Sequence, residues 1–254
     1  MGSSQNISTP ITILNTIIAE SLDYVAEKIK KSAQGKGFNS TVLQVVAQII
    51  KETKDIRFEG NNYSQEWIKE ARTRGLANVA STYAALGALT KKENTALFQR
   101  YKVLSGEELV ARYHIWVHMY NLTLEIEANT LNEMVNASIV PAGFKYQKLL
   151  SDNLAVLMAL KKGGTKINNA ALSDQKEHLN EVVSKIYYVR RNANDMIRLL
   201  EKAKEMDNER RARLYFKELK PLMEHIRKHA DVLERVVSDD SWDLPKYREL
   251  LFIK

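Results

Sequence analysis

Two pairs of histidines stand four residues apart, His114 with His118 and His225 with His229. On a helix that spacing lets two imidazoles share a metal ion. Neither pair has the glutamate of a zinc-protease helix, because Ile115 and Ile226 follow the first histidine of each pair. A di-iron bundle site needs Glu three residues before His on two helices, and no histidine of this sequence has one there. The histidines therefore read as groups that cap, hydrogen-bond or face solvent. Glu125 and Glu127 lie two apart and point to different sides of a helix, a poor carboxylate pair. Nothing in the spacing forces Glu133 or Asp152 to join them. The glycine and lysine loops Ala33-Gln34-Gly35-Lys36-Gly37 and Gly163-Gly164-Thr165-Lys166 lack the Gly-x-x-x-x-Gly-Lys-Ser/Thr spacing of a phosphate cradle and read as helix stops. The chain has no cysteine, which excludes disulfides, thiolate metal sites and a cysteine nucleophile. From the residues alone, no catalytic, cofactor-binding or metal position is assigned.

The elements that hold these residues are predicted to be helices. The 254 residues are 44% hydrophobic and 27% charged, the balance of an ordinary folded chain. With only 10 Gly and 4 Pro there are few places to turn, which favours long helices over hairpins. The net charge of +7 invites a nucleic-acid reading. Arg190-Arg191 and Arg210-Arg211-Ala212-Arg213 are, however, interleaved with Asp195, Glu201, Glu205, Asp207 and Glu209, the pattern of a solvated helix face. No nucleic-acid partner is expected. The N-terminal residues lack the basic region of a signal peptide, and no segment approaches the roughly 18 apolar residues of a bilayer span. A cytoplasmic location and no membrane partner are expected.

Ser8-Thr9-Pro10 offers a cap and a first-turn proline for a helix carrying Ile11, Leu14, Ile17, Ile18, Leu22, Val25 and Ile29, which should end before Gly35. Ser40 or Thr41 should open a second helix with the stripe Val42, Val45, Val46, Ile49 and Ile50. Asp55 to Asn62 reads as a brief strand and a turn. Ser64 should cap a helix through Trp67, Ile68 and Ala71, stopped at Gly75. The stretch from Thr82 to Arg100 should be a broken helix. Ser105-Gly106-Glu107-Glu108 has capping-box spacing and should open a long helix ending at Pro141. Further helices are expected from Ala142 to Lys162, from a cap at Ser173, and from Asn208, the last kinked at Pro221.

The predicted fold class is mainly α: an antiparallel long-helix bundle of about four helices, preceded by a smaller helical segment with at most one short strand. The expected divisions are 1–104, the bundle 105–237, and an aromatic tail 238–254 with Trp242, Tyr247 and Phe252 packing back on the body.

Several segments resemble type III glutamine synthetases. Gly2-Ser3-Ser4-Gln5-Asn6, Pro10 and Ile13-Leu14-Asn15-Thr16-Ile17-Ile18-Ala19-Glu20 are similar to the stretch after that family's final active-site strand. Phe58-Glu59-Gly60-Asn61-Asn62-Tyr63-Ser64, Glu66-Trp67 and Glu70-Ala71-Arg72-Thr73-Arg74-Gly75-Leu76 resemble a segment characteristic of the type III branch. Ala111-Arg112-Tyr113, Glu125-Ile126-Glu127-Ala128 and Pro141-Ala142 fit its helical extension, and Trp242-Asp243-Leu244-Pro245-Lys246-Tyr247-Arg248-Glu249-Leu250-Leu251-Phe252 its C-terminus.

The resemblance implies that residues 1–104 are the end of a catalytic domain. It implies a parent reaction in which ATP activates the γ-carboxylate of glutamate for attack by ammonia, with Mg or Mn as the metal. It also places the family's catalytic residues on strands upstream of Gly2. No catalytic, cofactor-binding or metal residue is therefore carried over to this chain, which is expected to be inactive alone and to bind no cofactor itself. The implied partners are the catalytic domain and neighbouring subunits of a homo-oligomer, and the first two helices should expose an apolar patch where that domain would pack. The alternative is a free-standing helical adaptor or interaction protein.

Overall fold

A computed structural model describes residues 6–33, 37–79 and 81–251. Among them every regular element is helical, and they divide into two compact units, one up to Trp116 and one from Val117.

The first unit contains α1 (Ser8–Ser32), α2 (Phe38–Glu52), α3 (Gln65–Thr73), α4 (Thr82–Leu86) and α5 (Lys92–Arg100). Helix α1 starts two residues before Pro10. Its first amide is capped by Asn6, whose Oδ1 accepts from Ser8 N at 2.9 Å, so neither expected hydroxyl is the cap. Helix α2 likewise starts before Ser40. Ser40 and Thr41 hydroxyls donate back to the Gly37 carbonyl at 2.8 and 3.1 Å instead of capping. The expected stop at Gly35 lies outside the described residues.

The expected strand after Asp55 does not form. Lys54–Ile56 is a single 3-10 turn, and Arg57 leaves it in extended conformation without a strand partner. The carbonyls that a neighbouring strand would have paired go to a guanidinium: Arg74 Nη1 donates to Asp55 O at 3.2 Å and to Arg57 O at 3.1 Å. Arg74 also pairs with Glu70 and lies over the Trp67 ring, which stacks on Phe58 with centroids 3.9 Å apart. Ser64 caps α3 as expected, through Trp67 N at 3.1 Å. Gly75, at φ +74°, closes α3 with the Leu76 amide bonded to Ala71 O, the bond that a left-handed C′ residue permits.

The capping box at Ser105 forms as read: Glu108 N donates to Ser105 Oγ at 3.1 Å and Ser105 N to Glu108 Oε2 at 2.8 Å. It opens α6 (Gly106–Met134), which does not end at Pro141. A π turn, Val135–Ile139, carries the chain directly into α7 (Val140–Lys162). The same device recurs where α9 (Asn208–Leu214) passes through the π turn Tyr215–Leu219 into α10 (Lys220–Val236). In both cases the proline stands two residues past the π turn, at Pro141 and Pro221. Proline has no N–H and its ring collides with the carbonyl four residues back. The wider turn moves that carbonyl away, and the amides of Val140 and Lys220 bond five residues back, to Val135 and Tyr215. A proline that stops an ideal α-helix is thereby accommodated within a continuous helical run.

Helix α7 ends at Lys162 against Gly163 and Gly164, the latter at φ +93° with Thr165 N bonded to Leu160 O at 3.1 Å. Helix α8 (Asn169–Ala203) starts four residues before Ser173. Its cap is Asn168, whose Oδ1 accepts from Ala170 N at 2.9 Å. In the second unit α8 packs on α7 and on α10. Short loops at each end of α8 make these neighbours antiparallel. Val182, Ile186, Val189, Ala193, Met196, Leu200 and Ala203 of α8 alternate by four and three residues, and all are buried. That 3.5-residue repeat is the seam of a coiled coil. Against it lie Leu219, Ile226 and Leu233, also buried. Gly143 lets α7 approach closely, since a Cβ there would sit 2.8 Å from Ile186 Cγ1. Of the tail, Trp242 and Leu244 join this core, whereas the Tyr247 side chain and Phe252 lie outside the described residues.

Candidate functional site

The histidines do not converge. His114 and His118 are exposed on α6, and His225 is exposed on α10. His229 is half-buried, its ring stacked on Tyr188 with centroids 4.9 Å apart. Burial, then the cations Lys185 and Lys228 with His225, hold its pKa below the ordinary value. His178 pairs with the Tyr146 hydroxyl at 3.1 Å. Among the described residues no group of three or more His, Asp or Glu side chains is placed to hold a metal ion. Glu133 and Asp152 are exposed and stay apart from Glu125.

Glu125 instead anchors a polar lock that spacing alone did not reveal. Its Oε1 accepts from the Tyr215 hydroxyl at 2.7 Å and from Arg211 Nη1 at 3.3 Å. Arg211 also closes the C-terminus of α8, donating to the carbonyls of Ala203, Lys204 and Met206 at 3.1 to 3.2 Å. A guanidinium suits that position because it neutralises the partial negative charge of a helix end while satisfying carbonyls that have no intrahelical partner. Tyr215 is 1% exposed, and burial together with the Glu125 carboxylate holds its hydroxyl well above the ordinary tyrosine pKa. A neutral, buried tyrosine donating to a carboxylate that is also paired with arginine is a structural clamp. Nothing in the sequence signalled it, because Glu125 is far from Arg211 and Tyr215 along the chain and no local pattern encodes their meeting.

In the second unit α6, α10 and the tail line an open groove of about 650 Å³. Its floor includes Leu124, Leu131, Ile139, Met223 and Trp242, and its rim mixes Glu127, Glu224, Asp231 and Glu234 with Lys220 and Arg227.

The distinctive surfaces are apolar. Helix α1 turns its polar side inward: Thr16 is 3% exposed, its hydroxyl satisfied by the Thr12 carbonyl at 2.7 Å. Ile13 alone of its large apolar residues packs against the small core of Leu89, Phe98 and Leu109. Ile11, Leu14, Ile18 and Leu22 share an arc of about 80° at 3.6 residues per turn, and all four are exposed. Helix α2 buries Thr41 and Val45, half-buries Val42 and Ile49, and exposes Leu43, Val46 and Ile50. No helix among the described residues is long and apolar enough to cross a membrane.

Residues 41–158 match the glutamine synthetase C-terminal domain. The whole chain is 32% identical over 259 residues to the type-3 glutamine synthetase of Dictyostelium discoideum, covering 34% of that protein. It is 30% identical over 255 residues to a glutamine synthetase of Bacteroides fragilis (strain YCH46), of which it covers 35%. A glutamine synthetase of Butyrivibrio fibrisolvens is 27% identical over 215 residues, 82% of this chain and 29% of that protein. The chain thus spans about a third of the length of the curated relatives it matches, the matched domain takes in all of α6 and most of α7, and over its whole length the chain is similar to glutamine synthetases, one of them of type 3.

Proposed function

We propose that this chain is the helical, non-catalytic C-terminal portion of a glutamine synthetase that joins ammonia to glutamate at the expense of ATP, and that it serves subunit packing and oligomer assembly. In this reading ATP and the Mg or Mn ion belong to the rest of the enzyme, and the chain binds neither. Its partners are the catalytic domain and neighbouring subunits in the cytoplasm, with no role for nucleic acid or a membrane.

The observation that supports it most is the inverted burial of α1, whose Ile11, Leu14, Ile18 and Leu22 face away from their own unit. Each fully buried aliphatic side chain contributes roughly 1.5 to 3 kcal/mol. Four of them on one face favour coverage by another body over permanent exposure to water.

The test is to purify the chain alone and together with the remaining portion of a type III glutamine synthetase, and to assay γ-glutamyl hydroxamate formation from glutamine and hydroxylamine. The chain alone gives no product and no ATP-dependent stabilisation, while the combined enzyme turns over. Measurable turnover by the isolated chain overturns the reading.

A further inference from the structure

The chain doubles back after α10. Val237, buried at the end of that helix, and Ser238 are both extended, at ψ 135° and 147°. The following residues cross to the apolar groove, where Trp242, Leu244 and Pro245 form part of the lining together with Ile139 of the π turn and Ala230 of α10. Trp242 is 7% exposed, and Leu244 packs against the same core.

What holds this stretch in place is uneven. Its backbone hydrogen bonds, among the described residues, run within itself: Ser241 N and Trp242 N donate to Ser238 O at 3.0 and 3.1 Å, and Glu249 N donates to Lys246 O at 2.8 Å. A side chain makes the link to the helix. Lys246 Nζ donates to Val237 O, at the end of α10, at 2.9 Å and pairs with Asp239 Oδ1 at 2.8 Å. Lys246 is only 9% exposed. An ammonium withdrawn from water is tolerated only while its partners stay in place, so Val237 O, Asp239 and Lys246 must come together at once or not at all. Closure also buries the Trp242 indole N–H without an acceptor. A donor in that state favours any motion that returns it to water. Two apolar side chains and one lysine thus hold the stretch closed against one standing penalty, which suits a segment that opens while the rest of the fold persists.

We infer that residues 238–246 form a strap that opens as one unit at Ser238, with Lys246 as its latch, and that opening removes one wall of the groove between α6 and α10. With the strap away, the groove retains Leu131, Ile139 and Met223 of its apolar floor but loses Trp242, Leu244 and Pro245. The inference goes beyond the assembly role proposed above and does not depend on it.

The test uses the full chain. Hydrogen exchange read by mass spectrometry should show the strap of the parent opening with a weaker urea dependence than residues 182–203, because a local opening exposes less surface than unfolding. Lys246→Met keeps the apolar stem and removes the ammonium. It should speed exchange over residues 238–246 about tenfold or more, with residues 182–203 unchanged. In a Trp67→Phe, Trp116→Phe background Trp242 is the sole tryptophan, and its fluorescence should become more accessible to acrylamide when Lys246→Met is added. A strap whose urea dependence in the parent equals that of residues 182–203 overturns the inference. So does a Lys246→Met chain with unchanged strap exchange, or one in which both segments accelerate alike. If Lys246→Met fails to fold, the urea dependence of the parent decides alone.

Discussion

Helices α1 and α8 carry apolar residues at similar spacing, yet the two are used in opposite ways. In the second unit α8 buries a complete seam, Val182 to Ala203, against α7 and α10. In the first unit α1 buries Thr16 and leaves Ile11, Leu14, Ile18 and Leu22 in water. The difference teaches that helical periodicity identifies an apolar stripe but not what covers it. Coverage depends on what packs beside the stripe: Val25 and Ile29, in line with those four residues, are half-buried, while Ile11, Leu14, Ile18 and Leu22 are exposed.

The largest effect that separates the two regions comes from matched truncations. Leu219→Ala, at a position buried in the second unit, should cost about 3 kcal/mol, because it removes transfer energy and leaves a cavity. Leu22→Ala, at 65% exposure on α1, should stay within about 0.5 kcal/mol of the parent. Chemical denaturation followed by circular dichroism measures both, and similar costs would break the contrast. Gly143→Val should cost about 2 kcal/mol, since its Cβ alone meets Ile186 Cγ1 at 2.8 Å and two packed helices must separate. Pairing it with Ile186→Ala should recover part of that loss if the close approach is the cause.

A smaller effect sharpens the reading of the Glu125 clamp. Tyr215→Phe should cost about 1 kcal/mol near neutral pH through the lost hydrogen bond. Tyr215 is held above its ordinary pKa of 10.0. The unfolded chain therefore releases this proton first, and its contribution to stability, complete below pH 10, is lost as pH rises through the folded-state value. Stability measured from pH 9 to pH 11.5 should fall for the parent and fall less for Tyr215→Phe. Identical alkaline slopes would remove Tyr215 as their source. The smallest effect is expected from Ile18→Ser on the outward face of α1: folding stability nearly unchanged, and binding of an apolar dye reduced.

Local chemistry made much of the fold legible. Ser105 with Glu108, Ser64, Gly75 and the Gly163-Gly164 stop each act as their residue types suggested, because a cap or a left-handed turn is decided within a few residues. Pro141 misled for a physical reason: a π turn supplies in one wider turn the room that a proline otherwise obtains by ending the helix. Arg74 likewise took the carbonyls around Arg57 that a strand partner would have used. The clamp of Glu125, Arg211 and Tyr215 was hidden because its members come from helices joined only by tertiary packing.

The central proposal is that the outward faces of α1 and α2 dock the catalytic portion, while the seam of α8 is already buried within the second unit. Hydrogen exchange read by mass spectrometry on the chain alone, and on the chain joined to the remaining portion of a type III glutamine synthetase, tests it directly. The account predicts strong new protection across residues 8–32 and 38–52 on joining, with the amides of residues 182–203 protected equally in both states. Unchanged exchange in α1 and α2, or new protection confined to residues 182–203, would contradict it.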